Sequence, residues 1–209
     1  FKSFCGGLVH PDYDNNPWNY KFTWNPRNVV LAGQGVAQYI ERGSPKYISY
    51  AKLFERLENI KVLDAGEFEG YANRDSLSYR KSYGLENIPT LLRGTLRRKG
   101  YSQAWNIFVQ LGMTDDTYKL ENSHIITNRQ FLNMFLPFDP ELSVEEKLCK
   151  EFNLKFDSNI YQKLKWLDIF SERCLAINDA SPAQLLQAIL ENKWSLGAED
   201  KDMVVMQHQ

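Results

Sequence analysis

The sequence has no apolar run approaching the ~18 residues needed to cross a bilayer, which argues against a membrane-spanning helix. It is poor in cysteine: Cys5, Cys149 and Cys174 form no C-x-x-C pair. An odd, sparse set points away from a disulfide framework and toward a reducing compartment, the cytoplasm or, in a eukaryote, the mitochondrial matrix. The three histidines, His10, His124 and His208, are too scattered to suggest a zinc site. Excess charge is missing as well. Lys and Arg number 25 against 26 Asp and Glu, a net charge of −1, so nothing favours nonspecific attraction to nucleic acid or an anionic membrane. Repeats, low-complexity tracts and long charge runs are absent. What is present is 209 residues, 43% hydrophobic and 24% charged, the composition of a folded chain with a core.

The ends are unusual. The chain starts at Phe1 without a signal-peptide pattern, and "KDMVVMQHQ" stops inside or just after a strand-like run. Both ends are read as cuts through a longer protein. "FKSFCGGL" reads as apolar residues followed by a Gly-Gly turn, and "YKFTW" (20–24) as a strand. Asn25-Pro26 is a cap followed by proline at the first helical position. From Arg27 the positions Val29, Val30, Val36, Ala37 and Ile40 mark a helix to about Arg42, stopped by Gly43-Ser44-Pro45. "YAKLFERLENI" reads as a short amphipathic helix and "KVLDAG" as a strand and turn. "FEGYANRDSLSYRKSYGL" reads as a loop feeding a helix with Asp75 at its N-cap. "TLLRGTLR" is a strand whose Gly94 permits a bulge or a close approach to a ligand.

After Gly100 the texture becomes helical. "YSQAWNIFVQLGM", "NRQFLNMFLPF", "VEEKLCKEFNL", "NIYQKLKWLDIF" and "PAQLLQAILENKW" each carry helical spacing over ~10–13 residues with breaks between. "DMVVMQ" (202–207) reads as a strand returning to the first part. The expected fold class is α/β (α+β), a mixed sheet with flanking helices. Three parts are expected: an α/β part over 1–100, a helical insertion over 101–195 and a returning strand in 196–209.

"VVLAGQGVAQYI" (29–40) raises the question of a dinucleotide loop. That loop needs G-x-G-x-x-G or A straight after a strand. Gly33 and Gly35 match, but Gln38 takes the last position, and Asn25-Pro26-Arg27 starts a helix before Val29. The chain is therefore read as lacking a nucleotide site of its own.

Five stretches, "CGGL" (5–8), "NNPWNYKFTWNPR" (15–27), "EGYANRDS" (69–76), "LLRGTLR" (91–97) and "EDKDMVVM" (199–206), occur in an order and spacing that resembles saccharopine dehydrogenase. The resemblance is to the glutamate-forming type, also found as the second half of aminoadipic semialdehyde synthase. It implies a Rossmann-type NAD or NADP domain N-terminal to this chain in the same protein, a homodimer, and a substrate-binding and dimerisation role for 1–100. The implied reaction is oxidative cleavage of saccharopine with water to glutamate and 2-aminoadipate 6-semialdehyde. A fragment of this kind would be inactive alone. A carboxyspermidine-type dehydrogenase and a non-catalytic interaction module on the same scaffold are the alternatives.

Saccharopine carries three carboxylates, and guanidinium forks match carboxylates bidentately without losing charge. The family's motif places a carboxylate-binding arginine at Arg74; pairing with Asp75 or Glu69 at the surface is the simpler alternative. Strand alternation puts Arg93, Thr95 and Arg97 on one face, opposite Leu92 and Leu96. The resemblance makes Thr95, Leu96 and Arg97 substrate contacts, with Cys5 as a contact and not a nucleophile, and Phe22 and Asn25 close to the pocket. Trp24 reads as core, Lys21 as solvated, and His10 is given no base role. Trp105, Phe108, Phe131, Phe135, Trp166 and Trp194 read as the core of the helical part. Asp115-Asp116 and Glu145-Glu146 read as helix starts.

Overall fold

The computed structural model describes residues 1–209 apart from Gly33. Seven strands and eight α-helices form along the described residues. Strands β1 (Lys2–Val9), β4 (Glu58–Val62), β5 (Gly66–Ala72), β6 (Leu92–Arg97) and β7 (Asp202–His208) form one sheet in the order β4-β5-β6-β1-β7. β1 runs parallel to β6; every other pair is antiparallel. β2 (Val36–Glu41) and β3 (Ser44–Ser49) form a separate hairpin. The fold is the expected mixed sheet with flanking helices, and β7 is the returning strand, paired to β1 along Ser3–Val9.

The helices between 101 and 195 form where helical periodicity and caps agree: α4 (Tyr101–Leu111), α5 (Asn128–Met134), α6 (Val144–Glu151), α7 (Asn159–Trp166) and α8 (Pro182–Trp194). Capping boxes start three of them, at Thr127/Gln130, Ser143/Glu146 and Ser181/Gln184. Glu145 and Glu146 do lie in the first turn of α6. Asp115 and Asp116 start no helix; Asp115 closes a turn onto Thr117, and Asp116 pairs with Arg27 (2.5 Å). α4 is capped from a distance: the Glu69 carboxylate on β5 accepts from Gly100 N (2.6 Å) and Ser102 N (3.1 Å).

Several local readings are corrected. The helix from Arg27 ends early: α1 spans Pro26–Val30, and Val36, Ala37 and Ile40 belong to β2. A short apolar pattern suits either period, and the turn decides. Arg42 (φ 48°) and Gly43 (φ 79°) form a two-residue hairpin connection rather than a helix stop. "YKFTW" is extended but joins no sheet, because Tyr20 and Phe22 face helices instead of a neighbouring strand; Phe22 N donates to Trp194 O (2.7 Å). Cys5-Gly6-Gly7 lie inside β1, not in a turn. A Cβ on Gly6 would stand 2.8 Å from Leu96 O, so the glycine allows two strands to sit close. Residues 68–72 are strand β5, not loop. The helix read at 50–60 is one turn, α2 (Tyr50–Leu53), followed by β4. Asp75 does not cap α3 (Tyr79–Ser82) directly; Ser78 holds the N-cap, and Asp75 accepts from its N–H (3.1 Å).

The core joins the sheet to the helices through rings. Trp18, Tyr20, Phe22, Tyr101, Trp105, Phe108 and Trp194 stack or meet edge-on. Trp105, Phe108, Phe131 and Trp194 are buried as expected, while Phe135 and Trp166 are only partly so. Trp24 is not core: it is 50% exposed.

Lys21 is not solvated. It is 6% exposed and its Nζ meets Asp200 Oδ2 at 2.7 Å, tying the segment before α1 to the approach to β7. Hydrogen bonds from Lys21 and from Gly197 N hold the Asp200 carboxyl below the usual carboxylate range. A depressed carboxyl contributes stability above its unfolded pKa of ~3.9 that disappears as pH falls through the folded value. Asp200→Asn should therefore lower the melting temperature at neutral pH. The gap from wild type should close as the pH drops below about 4. Melts of the intact protein across that range check it, and a gap independent of pH would show that the pair contributes nothing.

Candidate functional site

One face of the sheet carries the polar residues. Pairing sets Tyr71, Thr95, Cys5 and Met206 in one row across β5, β6, β1 and β7. Next to that row a cavity of about 490 Å³ opens between the sheet and the α1 segment, within the size range of small-molecule sites. Its walls include Arg74, Arg97, Thr95, Tyr71 and Asn73 from the sheet side, and Asn28 and Gln34 from the other. Two arginines and no acidic residue line it, so it is a cationic cleft.

Backbone hydrogen bonds fix the position of Arg74. Arg74 O accepts from Gln38 N (3.1 Å), Ser76 N donates to Gln38 O (3.0 Å), and Asn73 N donates to Arg93 O (2.7 Å). The loop is thus clamped between β2 and β6. The surface pairing alternative does not form: Asp75 is taken by Ser78 N and Gln38, and Glu69 caps α4. Arg74 is exposed at the cavity mouth.

Arg97 sits at the other extreme, 3% exposed. Its guanidinium lies over the rings of Tyr20 (4.8 Å) and Tyr101 (5.2 Å), and Nη1 donates to Leu96 O (3.0 Å). Its Nε has no acceptor, and no carboxylate pairs with it among the described residues. Glu69, directly across the ladder, is committed to α4. Burial works against the Arg97 charge; its pKa nonetheless lies above the ordinary guanidinium value, because Tyr71, Tyr20 and Tyr101 surround it and their ionisation at high pH would favour the cation. Burial in turn pushes the Tyr20 and Tyr101 phenols up, so both stay neutral at physiological pH. A buried cation with an unpaired Nε beside a cavity can take an anion there.

The remaining expected residues divide. Cys5 lines a second, more apolar cavity of about 480 Å³ with Phe1, Tyr83 and Met206; Asn73 borders both. Arg93 belongs to that second cavity, stacked on the Tyr79 ring at 3.7 Å. Three expected contacts lie elsewhere. Leu96 is fully buried on the opposite face, Phe22 is packed among the core rings, and Asn25 caps α1 by accepting from Arg27 N (3.0 Å). Asn73, Tyr71 and Gln34 were not singled out by sequence. Asn73 adjoins Arg74 in "ANRDS", a signal that was there to use; the rings around Arg97 lie far apart in sequence and left none.

As for the dinucleotide motif, Gly33 lies outside the described residues. Gly35 (φ 95°) precedes strand β2 and does not open a helix. The described residues on either side run from helix α1 (Pro26–Val30) to strand β2 (Val36–Glu41), the reverse of the strand–turn–helix cradle that a nicotinamide cofactor requires. They do not fit that group.

Fold and cavity define an α/β domain with a cationic cleft beside its mixed sheet. The family described as "Saccharopine dehydrogenase C-terminal domain" matches residues 1–209, and the chain belongs to that family. Alpha-aminoadipic semialdehyde synthase, mitochondrial, from Rattus norvegicus is 34% identical over 99% of this chain. Saccharopine dehydrogenase [NADP(+), L-glutamate-forming] from Schizosaccharomyces pombe is 30% identical over 100% of it. The chain spans 23% of the rat protein and 48% of the fission-yeast one. The solved structure of apo saccharopine dehydrogenase (L-Glu forming) from Saccharomyces cerevisiae matches with a TM-score of 0.80 at 27% identity, over 98% of this chain and 47% of that one. None of the helices formed by the described residues is long and apolar enough to cross a membrane.

Proposed function

We propose that this chain is the substrate-binding portion of a saccharopine dehydrogenase of the glutamate-forming type. The whole enzyme oxidises the carbon–nitrogen bond of saccharopine with NAD(P)⁺, and water releases glutamate and 2-aminoadipate 6-semialdehyde, with NAD(P)H and a proton. The oxidant is held by an N-terminal Rossmann domain of the same protein, and NADP is the form that the fungal relatives' names carry. The protein works as a homodimer in the cytoplasm or, as the rat relative's name suggests, in mitochondria. This chain's share of the work is to grip and orient the substrate.

The observation that carries the reading is the convergence of Arg74 and Arg97 on one cavity that has no acidic wall residue. Arg74 captures a carboxylate at the mouth, Arg97 receives one at depth, and Thr95 and Asn73 lie between them. In the intact enzyme, Arg74→Ala should raise the Michaelis constant for saccharopine ~10-fold or more, at least about 1.4 kcal/mol. Steady-state kinetics with saccharopine and carboxyspermidine, each with NAD and NADP, provide the check. Wild-type constants in the variant, or preference for carboxyspermidine, would overturn the assignment.

A further inference from the structure

The arginines account for carboxylates but not for nitrogen. An amino dicarboxylate also presents N–H groups, which arginine, a donor only, cannot accept. The point where this polarity is set is the contact between Thr95 and Asn73. Thr95 Oγ1 donates its single proton to Asn73 Oδ1 at 2.6 Å. A hydroxyl whose proton is committed offers only lone pairs, so Thr95 faces the cavity as an acceptor. Asn73 is left with its carboxamide nitrogen, which has no acceptor among the described residues, at the border of the cavity. The Asn73 backbone is itself fixed, its N–H donating to Arg93 O at 2.7 Å.

We propose that Asn73 is a further ligand-contacting and positioning residue: it holds the Thr95 hydroxyl as the acceptor for the substrate's amine and turns its own Nδ2 donors toward a carboxylate. This rests on the cavity being the saccharopine site. It adds that the site distinguishes an amino dicarboxylate from the bare dicarboxylate, and that one asparagine sets the direction of the hydrogen bonds.

The test uses the intact enzyme with L-glutamate and glutarate as inhibitors competitive with saccharopine. The two differ only in the amine. Wild type should favour glutamate. Thr95→Val should cut that preference by about 5-fold or more, the loss expected for one hydrogen bond to a charged or polar group, while moving glutarate little. Thr95→Ser, which keeps the hydroxyl, should restore it. Asn73→Asp keeps an acceptor for Thr95 but replaces the two donors by an anionic oxygen. It should weaken glutarate by about 10-fold or more and glutamate less, because glutamate's ammonium offsets part of the repulsion.

A preference unchanged in Thr95→Val, or Asn73→Asp leaving both inhibitors at wild-type affinity, would overturn the proposal while the cavity assignment stood, provided Arg74→Ala still weakened glutarate. If Arg74→Ala left glutarate untouched, the cavity assignment and this proposal would fall together.

Discussion

Replacing Arg97 by methionine in the intact enzyme should weaken saccharopine binding by at least about 100-fold, equivalent to about 2.7 kcal/mol, without lowering the melting temperature. The two halves of the expectation have one cause. Removing a buried cation from its anionic partner costs ~3–5 kcal/mol because charge is left uncompensated. In Arg97 that partner is not supplied by the described residues: the guanidinium is 3% exposed, rests on Tyr20 and Tyr101, and has an Nε without an acceptor. Folding therefore carries the desolvation, offset only by ring contacts of ~2 kcal/mol each when desolvated. Methionine fills similar space, keeps contact with the rings and needs no hydration. Thermal melts and saccharopine titration of the same sample test both halves. A variant that binds normally, or one that unfolds outright, would mean that Arg97 is a structural residue. Arg97→Lys should recover only part of the affinity, since a point charge lacks the fork that matches a carboxylate.

Gly94→Ala should destabilise the protein by about 1–3 kcal/mol, as overpacking of a filled core does. A Cβ at Gly94 would stand 2.5 Å from both Phe4 Cδ1 and Cε1 and 2.9 Å from Tyr71 O. Phe4 is 1% exposed and cannot swing away into solvent, and the backbone oxygen of Tyr71 belongs to the β5–β6 ladder. The strain would be felt one residue from Thr95, so substrate affinity should fall alongside stability. Denaturant unfolding of wild type and variant reads the first effect. An unchanged midpoint would show that the Phe4 ring has room to move. The clash lies on the face opposite the cavity, so the glycine serves packing and not ligand approach.

That glycine shows why some of the molecule was legible in sequence and some was not. Helices α4 to α8 are written locally, in 3.6-residue spacing and in the Thr127, Ser143 and Ser181 caps. Strands β1 and β5 are not. Gly6, Gly7 and Gly70 resemble turn residues until Leu96, Thr23 and Phe4 are brought against them from other parts of the chain. Ala37 and Ile40 of β2 satisfy either period, and only the Arg42-Gly43 turn resolves the segment as a strand. At the site, the strand alternation of "RGTLR" and the loop arginine of "EGYANRDS" were visible, and they do meet in one cavity. Leu96, Phe22 and Asn25 came with the family segments and lie away from it. The isolation of Arg97 from any acid could not be read, because it depends on Glu69 being drawn off to cap α4.

The most direct measurement is a crystal structure of the intact enzyme with saccharopine bound. It should show one carboxylate within hydrogen-bond distance of the Arg97 guanidinium and another at Arg74, with the ligand filling the space beside Thr95. Saccharopine bound elsewhere, with both guanidinium groups contacting only water or protein, would contradict the account.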